Sequence, residues 1–521
     1  MFLVTAAEMR EMDRRTIESF GLPGRILMEN AGRGAVRVMR AYFPGIASQR
    51  VGILAGRGNN GGDGFVIARR LACMGVDVSV FLLSKRSRVV GDAGANLALL
   101  DPLGVPVFEI EDPAALRKKK PAMRRREVWV DALLGTGLNA DVRGHFREAI
   151  DFVNRADKPV VAVDVPSGLN ADTGQICGTC IRAKVTVTFA FAKLGCAVFP
   201  GAACCGALEV VDIGIPPFIT AAVNPRQVWI TPAGLRPLLR QRAPDVHKGT
   251  TGHLMVVAGS PGKTGAASMS AMAAMRAGAG LVTLGVPAGL NGIVEPQVTE
   301  AMTVPLPETV DGLLDSSALR IVKAMLPGKR CVAFGPGIGT GDGAGRFLAG
   351  LIESSPIPLV IDADGINLLA GNPGMLKKAR AAVTITPHPG EMARLLGTTP
   401  AQVQEDRVGC ARDVAARYGV HVVLKGAATV IAHPEGNVHV NQTGNPGMAS
   451  GGMGDILTGL VAGFTVQGYS VDAAARLGVY LHGRAADTLA AAKGPVGFLA
   501  TEVMNRIPEE IRLLATNSFD A

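Results

Sequence analysis

The sequence predicts an α/β protein with two domains, each built around a mainly parallel β-sheet. Short apolar runs alternate with amphipathic stretches, which is the pattern of βαβ units. The chain has 521 residues, more than one hydrophobic core usually serves, and its 66 glycines suit a fold with many tight βα loops. With 48% hydrophobic and 19% charged residues, it is globular rather than disordered.

The first series of elements ends near residue 214, where prolines interrupt the pattern. We expect a boundary between Gly214 and Gln227, with a Pro- and Arg-rich linker extending to Asp245. The predicted strands are Arg50–Ala55, Val78–Leu83, Val128–Asp131, Val160–Asp164, Lys184–Phe189 and Leu208–Asp212, and the helix that follows the first of them is Phe65–Met74.

A second series begins at Gly252–Ala258. Its further strands are predicted at Leu281–Val286, Cys331–Phe334, Pro358–Asp362, Val383–Thr386 and Val422–Leu424. The segments Ala428–Ala432 and Val438–Val440 flank a turn sequence and predict a β-hairpin, and helices predominate after Met453.

Composition limits the partners. The net charge is +9, which suits anionic small-molecule substrates, whereas two Trp and four Tyr are few for base stacking on nucleic acid. The basic run 117–126 contains no aromatic residue, so we expect a solvated loop. No targeting or membrane-spanning segment is visible, and Cys177 and Cys180 lack suitable partners for zinc. We therefore expect a cytoplasmic protein with reduced thiols and with neither nucleic-acid nor membrane partners.

The loop 56–64 lies between a predicted strand and a helix. Gly56, Gly58 and Gly61 match the dinucleotide-binding fingerprint, but that fingerprint wants an acidic residue at the end of the next strand, and Asp77 precedes its strand instead. This mismatch disfavours an oxidoreductase. The polar residues of the loop exceed what a structural turn needs, so we expect a ligand site.

Two carboxylates, Asp131 and Asp164, stand at predicted strand ends. Because parallel strands bring their carboxyl ends to one edge of a sheet, we expect both to converge with Asn60 and Ser167. Each of them alone could serve as a turn or cap residue. Together, their oxygen atoms would suit a hard cation.

In the second domain, Gly454 and Asp455 lie where a glycine-rich run meets a predicted helix. Glycine lets backbone N–H groups approach a phosphate, and the helix N-terminus favours the anion. A carboxylate beside a transferable phosphate could deprotonate the attacking hydroxyl. The alternative is that Asp455 only offsets the helix macrodipole.

Three other loops of the second domain are ambiguous. Gly259–Thr264 is not a Walker A motif, because its required first glycine would fall at Val257. His388 lies in a predicted loop between two prolines, and could be structural or could contact a ligand. Lys425 joins two strands, and could meet a nucleotide phosphate or lie in a surface turn.

Residues 1–220 resemble the NAD(P)H-hydrate epimerase family, on the motifs Leu27–Gly32, Asn59–Gly64, Gly135–Gly137 with Asp131, and Asp164–Gly168. The resemblance implies a Rossmann-like α/β/α domain and a potassium ion bound by Asn60, Asp131 and Ser167. It implies that the hydrated nucleotide contacts Asn59, Asn60, Gly61, Gly62, Asp63, Gly135, Thr136, Gly137, Leu138, Asn139, Ala140, Asp141 and Asp164. Our hypothesis is that Asp164 is catalytic and transfers a proton. Lys193 could assist it, although we favour a solvated surface lysine.

Residues 227–515 resemble the ADP/ATP-dependent NAD(P)H-hydrate dehydratases, which have a ribokinase-like α/β/α fold. The motifs are Gly259–Ser260 with Gly265–Ala266, Gly335–Gly339, Thr386–Glu391, Leu424–Gly426 and Ser450–Asp455. The resemblance implies that Ala266, Gly337, His388 and the catalytic Asp455 contact the hydrated substrate, and that Lys425, Gly426, Ala427, Ala428, Thr429 and Gly454 bind the adenine nucleotide. Lys263–Thr264 replaces a Tyr of many relatives, which affects details of substrate stacking.

The whole sequence therefore predicts a bifunctional enzyme that repairs hydrated NADH and NADPH. One domain would interconvert the R and S hydrates at ring carbon C6, and the other would dehydrate the S form with ADP or ATP and magnesium; we favour ADP and expect a homo-oligomer. The alternative is a ribokinase-like small-molecule kinase fused to a non-catalytic ligand-binding domain, whose product would be a stable phosphoester.

Overall fold

The computed structural model describes residues 1–516 and divides into two compact units, Phe2–Gln227 and the chain from Val228 onward together with Met1. Both units are α/β with parallel sheets, which confirms the predicted class. No helix within residues 1–516 is long and apolar enough to cross a membrane.

The first unit contains a seven-stranded parallel sheet of order β4-β3-β2-β5-β6-β7-β9, and a short parallel pair, β1 with β8. The strands are β1 (Phe2–Val4), β2 (Arg50–Ala55), β3 (Asp77–Leu82), β4 (Val107–Glu109), β5 (Val128–Ala132), β6 (Val160–Val163), β7 (Val185–Phe189), β8 (Ala192–Lys193) and β9 (Ala207–Val211). The helices are α1 (Ala6–Arg14), α2 (Gly24–Tyr42), α3 (Asn59–Cys73), α4 (Gly91–Ala98), α5 (Pro113–Arg124), α6 (Gly144–Arg155), α7 (Leu194–Ala197), α8 (Gly201–Cys205) and α9 (Pro217–Val223).

Both faces of this sheet are covered. Side chains alternate along each strand, so Ile53 packs in one hydrophobic cluster and its neighbour Leu54 in another. Val80 and Phe81 divide between the same two clusters. The continuous apolar runs in the sequence reflect this three-layer burial.

Two local predictions were wrong. Helix α3 begins at Asn59 rather than Phe65, because glycines let the turn fold tightly onto the strand: a Cβ at Gly61 would lie 2.0 Å from the carbonyl oxygen of Gly56. The basic run 117–126 is mostly helix α5 rather than a loop, and Lys119 lies over the ring of Phe108. The eight cysteines are free thiols.

The second unit has strands in the order β13-β12-β11-β14-β15-β16-β17-β18-β19, parallel up to β17 and antiparallel after it. The strands are β10 (Gln227–Trp229), β11 (His253–Val257), β12 (Leu281–Pro287), β13 (Met302–Leu306), β14 (Cys331–Phe334), β15 (Leu359–Ile361), β16 (Val383–Ile385), β17 (His421–Leu424), β18 (Thr429–Ala432) and β19 (Val438–Asn441). The predicted hairpin is β18–β19.

The helices of this unit are α10 (Pro232–Leu235), α11 (Thr264–Ala277), α12 (Asn291–Val294), α13 (Ala318–Met325), α14 (Asp342–Ser354), α15 (Asp364–Ala370), α16 (Pro389–Leu396), α17 (Pro400–Glu405), α18 (Arg407–Tyr418), α19 (Met453–Val466), α20 (Val471–Lys493) and α21 (Ala500–Thr516). As predicted, helices predominate after Met453.

Helix α19 lies unusually close to α11. A Cβ at Gly459 would come within 2.2 Å of the carbonyl oxygen of Ser270, and one at Gly463 within 2.8 Å of that of Ala274. Only glycine therefore fits at these positions without displacing the helix. The close approach fixes the first turn of α19, which carries Asp455.

Candidate active sites

In the first unit, the structure brings Asn60, Asp131 and Ser167 together as the sequence predicts. Strands β2, β5 and β6 are neighbours, so the residues that follow them meet at one edge of the sheet. Asn60 is in the first turn of α3, Asp131 is near the end of β5, and Ser167 lies in the loop after β6.

Asp131 is 1% exposed and is held by Ser167 through two hydrogen bonds. The backbone N–H donates to Oδ2 over 2.7 Å, and the hydroxyl donates to Oδ1 over 2.6 Å. Burial raises the pKa of Asp131 to about 6, although hydrogen bonds from Ser167 and the N–H of Leu133 oppose the rise. A nearby cation would return this carboxyl to its charged form.

Asn60 supplies an oxygen atom that has no partner. Its Nδ2 donates to the carbonyl oxygen of Leu134 over 3.0 Å, whereas its Oδ1 is buried and accepts no hydrogen bond from the described residues. A buried acceptor without a donor is costly. The oxygen-rich set of Asn60, Asp131 and Ser167 fits a hard cation such as potassium.

Asp164 pairs with Lys193, and here the favoured interpretation of Lys193 as a surface residue was wrong. Lys193 is 1% exposed, and its ammonium contacts Asp164 Oδ1 while also donating to the hydroxyl of Thr188 and the carbonyl of Phe189. Nothing in the local sequence distinguishes it from a solvated lysine. Lys193 is buried because it lies on β8, which pairs with β1 inside the fold and places Lys193 opposite Val4.

Two more carboxyl groups interact with this pair. Burial raises the pKa of Asp63 well above its usual range, and the charges of Asp164 and Asp13 raise it further. Burial likewise raises the pKa of Asp13 to about 6, with Lys193 opposing the change. Sequence reasoning missed Asp13, since it lies on the amphipathic helix α1 without any motif around it.

The backbone at Asp164 is strained. Its φ is +67°, a left-handed conformation that non-glycine residues rarely adopt. Hydrogen bonds to Oδ1 from the N–H of Phe189 and the hydroxyl of Thr188 hold the side chain in place. Strain of this kind concentrates at functional positions.

A cavity of about 850 Å³ opens beside Asn60, along the loops after β2, β3 and β5. Of the predicted substrate residues, its lining includes Asn59, Asn60, Gly61, Gly135, Thr136, Gly137 and Leu138, but not Gly62, Asp63, Asn139, Ala140, Asp141 or Asp164. Sequence reasoning missed its basic residues Arg57, Lys85 and Arg88. Lys85 pairs with Glu111, which also lines the cavity, over 3.2 Å, so Arg57 and Arg88 beside the glycine-rich loop are the groups best suited to attract phosphate.

In the second unit, Lys425 lies in a charged cluster rather than in a surface turn. Its ammonium is 2.5 Å from Oδ1 of Asp362, which is 1% exposed, and 3.7 Å from Glu391 Oε2. The hydroxyl of Thr458 donates to the other oxygen of Asp362 over 2.6 Å. Burial favours the neutral amine, but the two carboxylates outweigh it and raise the pKa of Lys425.

Gly454 and Asp455 begin helix α19 beside this cluster. A Cβ at Gly454 would lie 3.5 Å from Lys425 Nζ, so glycine leaves the ammonium accessible from the helix N-terminus. Burial and the charge of Asp362 raise the pKa of Asp455 to about 6, and Lys425 opposes them. A carboxyl group that only offset the helix dipole would act in its charged form, and these surroundings disfavour that form.

His388 lies in the loop after β16, as predicted, and caps helix α16, which follows it. Its Nδ1 accepts from the N–H of Gly390 over 2.9 Å, and Glu391 Oε2 accepts from the N–H of His388 over 2.7 Å. Because Glu391 also lies near Lys425, the cap links the His388 loop to the charged cluster.

Gly337 and Ala266 are adjacent, as a shared substrate contact requires. A Cβ at Gly337 would lie 3.2 Å from that of Ala266 and 2.9 Å from that of Lys263, and the φ of Gly337 is +62°. Of the predicted nucleotide residues, 425–428 form the turn between β17 and β18, in which Ala428 also has a positive φ, and Thr429 begins β18.

Each unit thus presents a carboxylate–lysine pair with one fully buried partner at the carboxyl edge of a parallel sheet, which is the edge where α/β enzymes place their active sites. Residues 24–195 match the family model described as YjeF-related protein N-terminus, and residues 254–509 match the one described as NAD(P)H-hydrate dehydratase. The chain belongs to the family of bifunctional NAD(P)H-hydrate repair enzymes.

Curated relatives cover nearly the whole chain. The "Bifunctional NAD(P)H-hydrate repair enzyme Nnr" of Moorella thermoacetica is 43% identical over 99% of this chain and 97% of the relative. Those of Salinibacter ruber and Escherichia coli are 39% and 36% identical, over 97% and 96% of this chain and 95% and 92% of the relatives. A solved ADP/ATP-dependent NAD(P)H-hydrate dehydratase from Bacillus subtilis is 28% identical, with a TM-score of 0.48 over 55% of this chain and 98% of that one.

The raised pKa of Asp455 makes a pH-dependent contribution to stability. Because the native carboxyl group binds its proton more tightly than the unfolded one, with a pKa of about 6 against 3.8, its contribution is lost as pH rises from about 4 to 6. The free energy of unfolding of Asp455→Asn should equal that of the wild type near pH 4 and should exceed it by about 1–3 kcal/mol at pH 7. Urea denaturation at both pH values measures this difference.

Asp342→Asn is the matched control, since Asp342 is an exposed residue in the first turn of α14. It should show no comparable dependence on pH. A stability difference for Asp455→Asn that stays constant across this range would contradict the interpretation of Asp455 as a desolvated carboxyl group.

Proposed function

We propose that this chain repairs hydrated NADH and NADPH through two successive activities. The first domain, residues 1–220, interconverts the R and S hydrates at nicotinamide C6. The second domain, residues 227–515, dehydrates the S hydrate to NAD(P)H, with ADP giving AMP and phosphate. One chain with both activities can use both epimers although the dehydratase accepts only one.

The observation that carries the proposal is the surroundings of Asp455. The carboxyl group stands at the N-terminus of α19, has a pKa of about 6, and lies beside the buried cluster of Lys425 and Asp362. A base needs a pKa near the working pH, and the cation needs to be close to the phosphate. Asp455 is suited to be the base, and Lys425 is suited to be the cation.

In the dehydratase step, Asp455 accepts the proton of the C6 hydroxyl. The hydroxyl oxygen forms a bond to the terminal phosphorus of the nucleotide, and the bond from that phosphorus to the AMP oxygen breaks. Phosphate then leaves C6 with its bonding electrons as a ring proton is lost, which restores the dihydronicotinamide. Lys425 stabilises the charge on the phosphate oxygens, and the free N–H groups of Gly454 and its neighbours favour the anion.

In the epimerase domain, Asp164 transfers the proton, oriented by the ammonium of Lys193. Asp13 can hold or release a proton close to neutral pH, because its pKa is about 6. Arg57 and Arg88 of the cavity attract the phosphates of the hydrated nucleotide.

Two cations complete the proposal. Asn60, Asp131 and Ser167 would hold potassium, supported by the partnerless Oδ1 of Asn60. Magnesium accompanies the nucleotide and neutralises phosphate charge. Neither of these ions changes the roles of Asp164 and Asp455.

Loss of the base should abolish one activity and spare the other. Asp455→Asn is expected to lower nucleotide-dependent dehydration roughly 10²–10⁴-fold, while exchange of the epimers continues. Recovery of NADH absorbance from the hydrate measures dehydration, and NMR of the same sample measures epimer exchange. Asp342→Asn serves as control, and full dehydratase activity of Asp455→Asn refutes the assigned role. A stable phosphoester of the hydrate would indicate the kinase alternative.

Removing the buried ammonium should affect epimerisation selectively. Lys193→Met leaves Asp164 unpaired, so epimer exchange should fall roughly 10²–10⁴-fold, whereas the rate on pure S hydrate should not change. The exposed Lys158→Met is the control. Since Lys193→Met could destabilise the domain, Asp164→Asn tests the same pair. Normal epimer exchange in both folded variants would rule the pair out.

The potassium proposal concerns Asn60. Wild-type epimerisation should fall when potassium is replaced by tetramethylammonium at equal ionic strength, because no large organic cation fits among buried oxygens. Asn60→Ala removes Oδ1 and should be equally slow in both salts. Rates of epimer exchange in the two salts measure this, and a wild-type rate independent of the cation is the outcome that defeats the proposal.

A further inference from the structure

A group of histidines and one carboxylate lies in the second unit, outside the residues used above. His433 directly follows β18, His439 is on β19, and Asp472 is in the first turn of α20. One nitrogen or oxygen atom of each lies within 4.8 Å of the others. His433 Nε2 is 3.0 Å, and His439 Nε2 is 3.1 Å, from Asp472 Oδ1.

These atoms lie at ion-pair distance, but the contact between His433 and Asp472 is poorly directed for a hydrogen bond. Within residues 1–516, neither His433 Nε2 nor Asp472 Oδ1 makes a hydrogen bond of acceptable geometry, although both atoms are buried and His433 is only 4% exposed. Metal–ligand distances of about 2.0–2.1 Å place neighbouring ligands roughly 3.0–3.4 Å apart. The observed separations therefore suit atoms that face a common ion.

Neighbouring residues hold two of the ligands in a suitable orientation. His421 Nδ1 is 2.8 Å from His433 Nδ1, so His433 can donate its Nδ1 proton there and keep a lone pair on Nε2. The guanidinium of Arg476 binds Oδ2 of Asp472, which leaves Oδ1 for an ion. Oriented ligands of this kind are typical of metal sites.

We propose that His433, His439 and Asp472 bind one divalent cation of borderline softness, such as Zn²⁺, with water completing its coordination. Two imidazoles and a carboxylate favour Zn²⁺ over Mg²⁺ or Ca²⁺, which prefer oxygen ligands. The ion would fasten the β18–β19 hairpin to α20. The proposal is independent of the repair activities.

The hairpin β17–β18 connects the proposed metal site to the loop 425–428. Val422 pairs with Ala432, so His421 and His433 lie at one end of that hairpin and the loop at the other. A cation at the histidine end would stiffen both strands. Its effect is therefore expected on stability rather than on chemistry.

Co²⁺ is the probe, because its visible absorbance reports coordination. Chelator-treated full-length protein, without nucleotide, should bind one Co²⁺ at this site, and Zn²⁺ but not Mg²⁺ should displace it. Thiolate ligands would add intense near-ultraviolet charge-transfer absorption, which we do not expect here. Thermal unfolding should shift upward with Zn²⁺ and not with equal Mg²⁺.

Substitutions test whether the metal ion is bound by these residues or by others. The double variant His433→Asn/His439→Asn should lose the Co²⁺ spectrum, and His421→Leu should weaken binding roughly 10–100-fold through loss of orientation. His247→Asn, at an exposed histidine, is the control. Should the double variant fail to fold, imidazole nitrogen resonances of histidine-labelled wild type should move on adding Zn²⁺.

Absence of Co²⁺ binding by the wild type would overturn the proposal and leave a metal-free network that shares protons. Equal binding by the folded double variant, or a thiolate-type spectrum, would also overturn it and assign the ion elsewhere.

Discussion

An ion pair between a lysine and a carboxylate, one of them fully buried, is the interaction on which both candidate sites depend. Lys193 faces Asp164, and Lys425 faces Asp362. An isolated charge in such surroundings is costly by several kcal/mol, and breaking one partner of a buried pair costs about 3–5 kcal/mol. The partners of each pair come from different strand ends, so they meet only when the sheet is assembled. Folding and formation of the site are therefore one event in each domain.

The parallel sheet explains why much of this could be predicted. Strands buried on both faces appear as continuous apolar runs, and polar residues at their ends share an edge, which is how Asn60, Asp131 and Ser167 were expected to meet. The start of α3 could not be predicted, because it depends on how tightly Gly61 packs against Gly56. Propensity describes a residue within its segment and carries no information on such tertiary approach.

Buried charges were harder to predict than buried apolar residues. A lysine in a sequence is usually solvated, and Lys193 differs from others only through the acids that surround it. Asp13 is likewise ordinary within α1, and its pKa is raised by burial and, to a smaller extent, by the charge of the distant Asp164. The hairpin was predicted, yet the nearness of its two histidines to Asp472 depends on the packing of α20. The roles that family resemblance gives to the other site residues remain predictions.

The seam between α11 and α19 has a consequence for how this enzyme can vary. At Gly459 and Gly463 the two backbones nearly touch, so the helix bearing Asp455 is positioned by its packing against α11. Movement of Asp455 is thereby limited by two residues without side chains. The loops around Asp455 can therefore change in sequence while these two glycines keep the start of α19 in the same place.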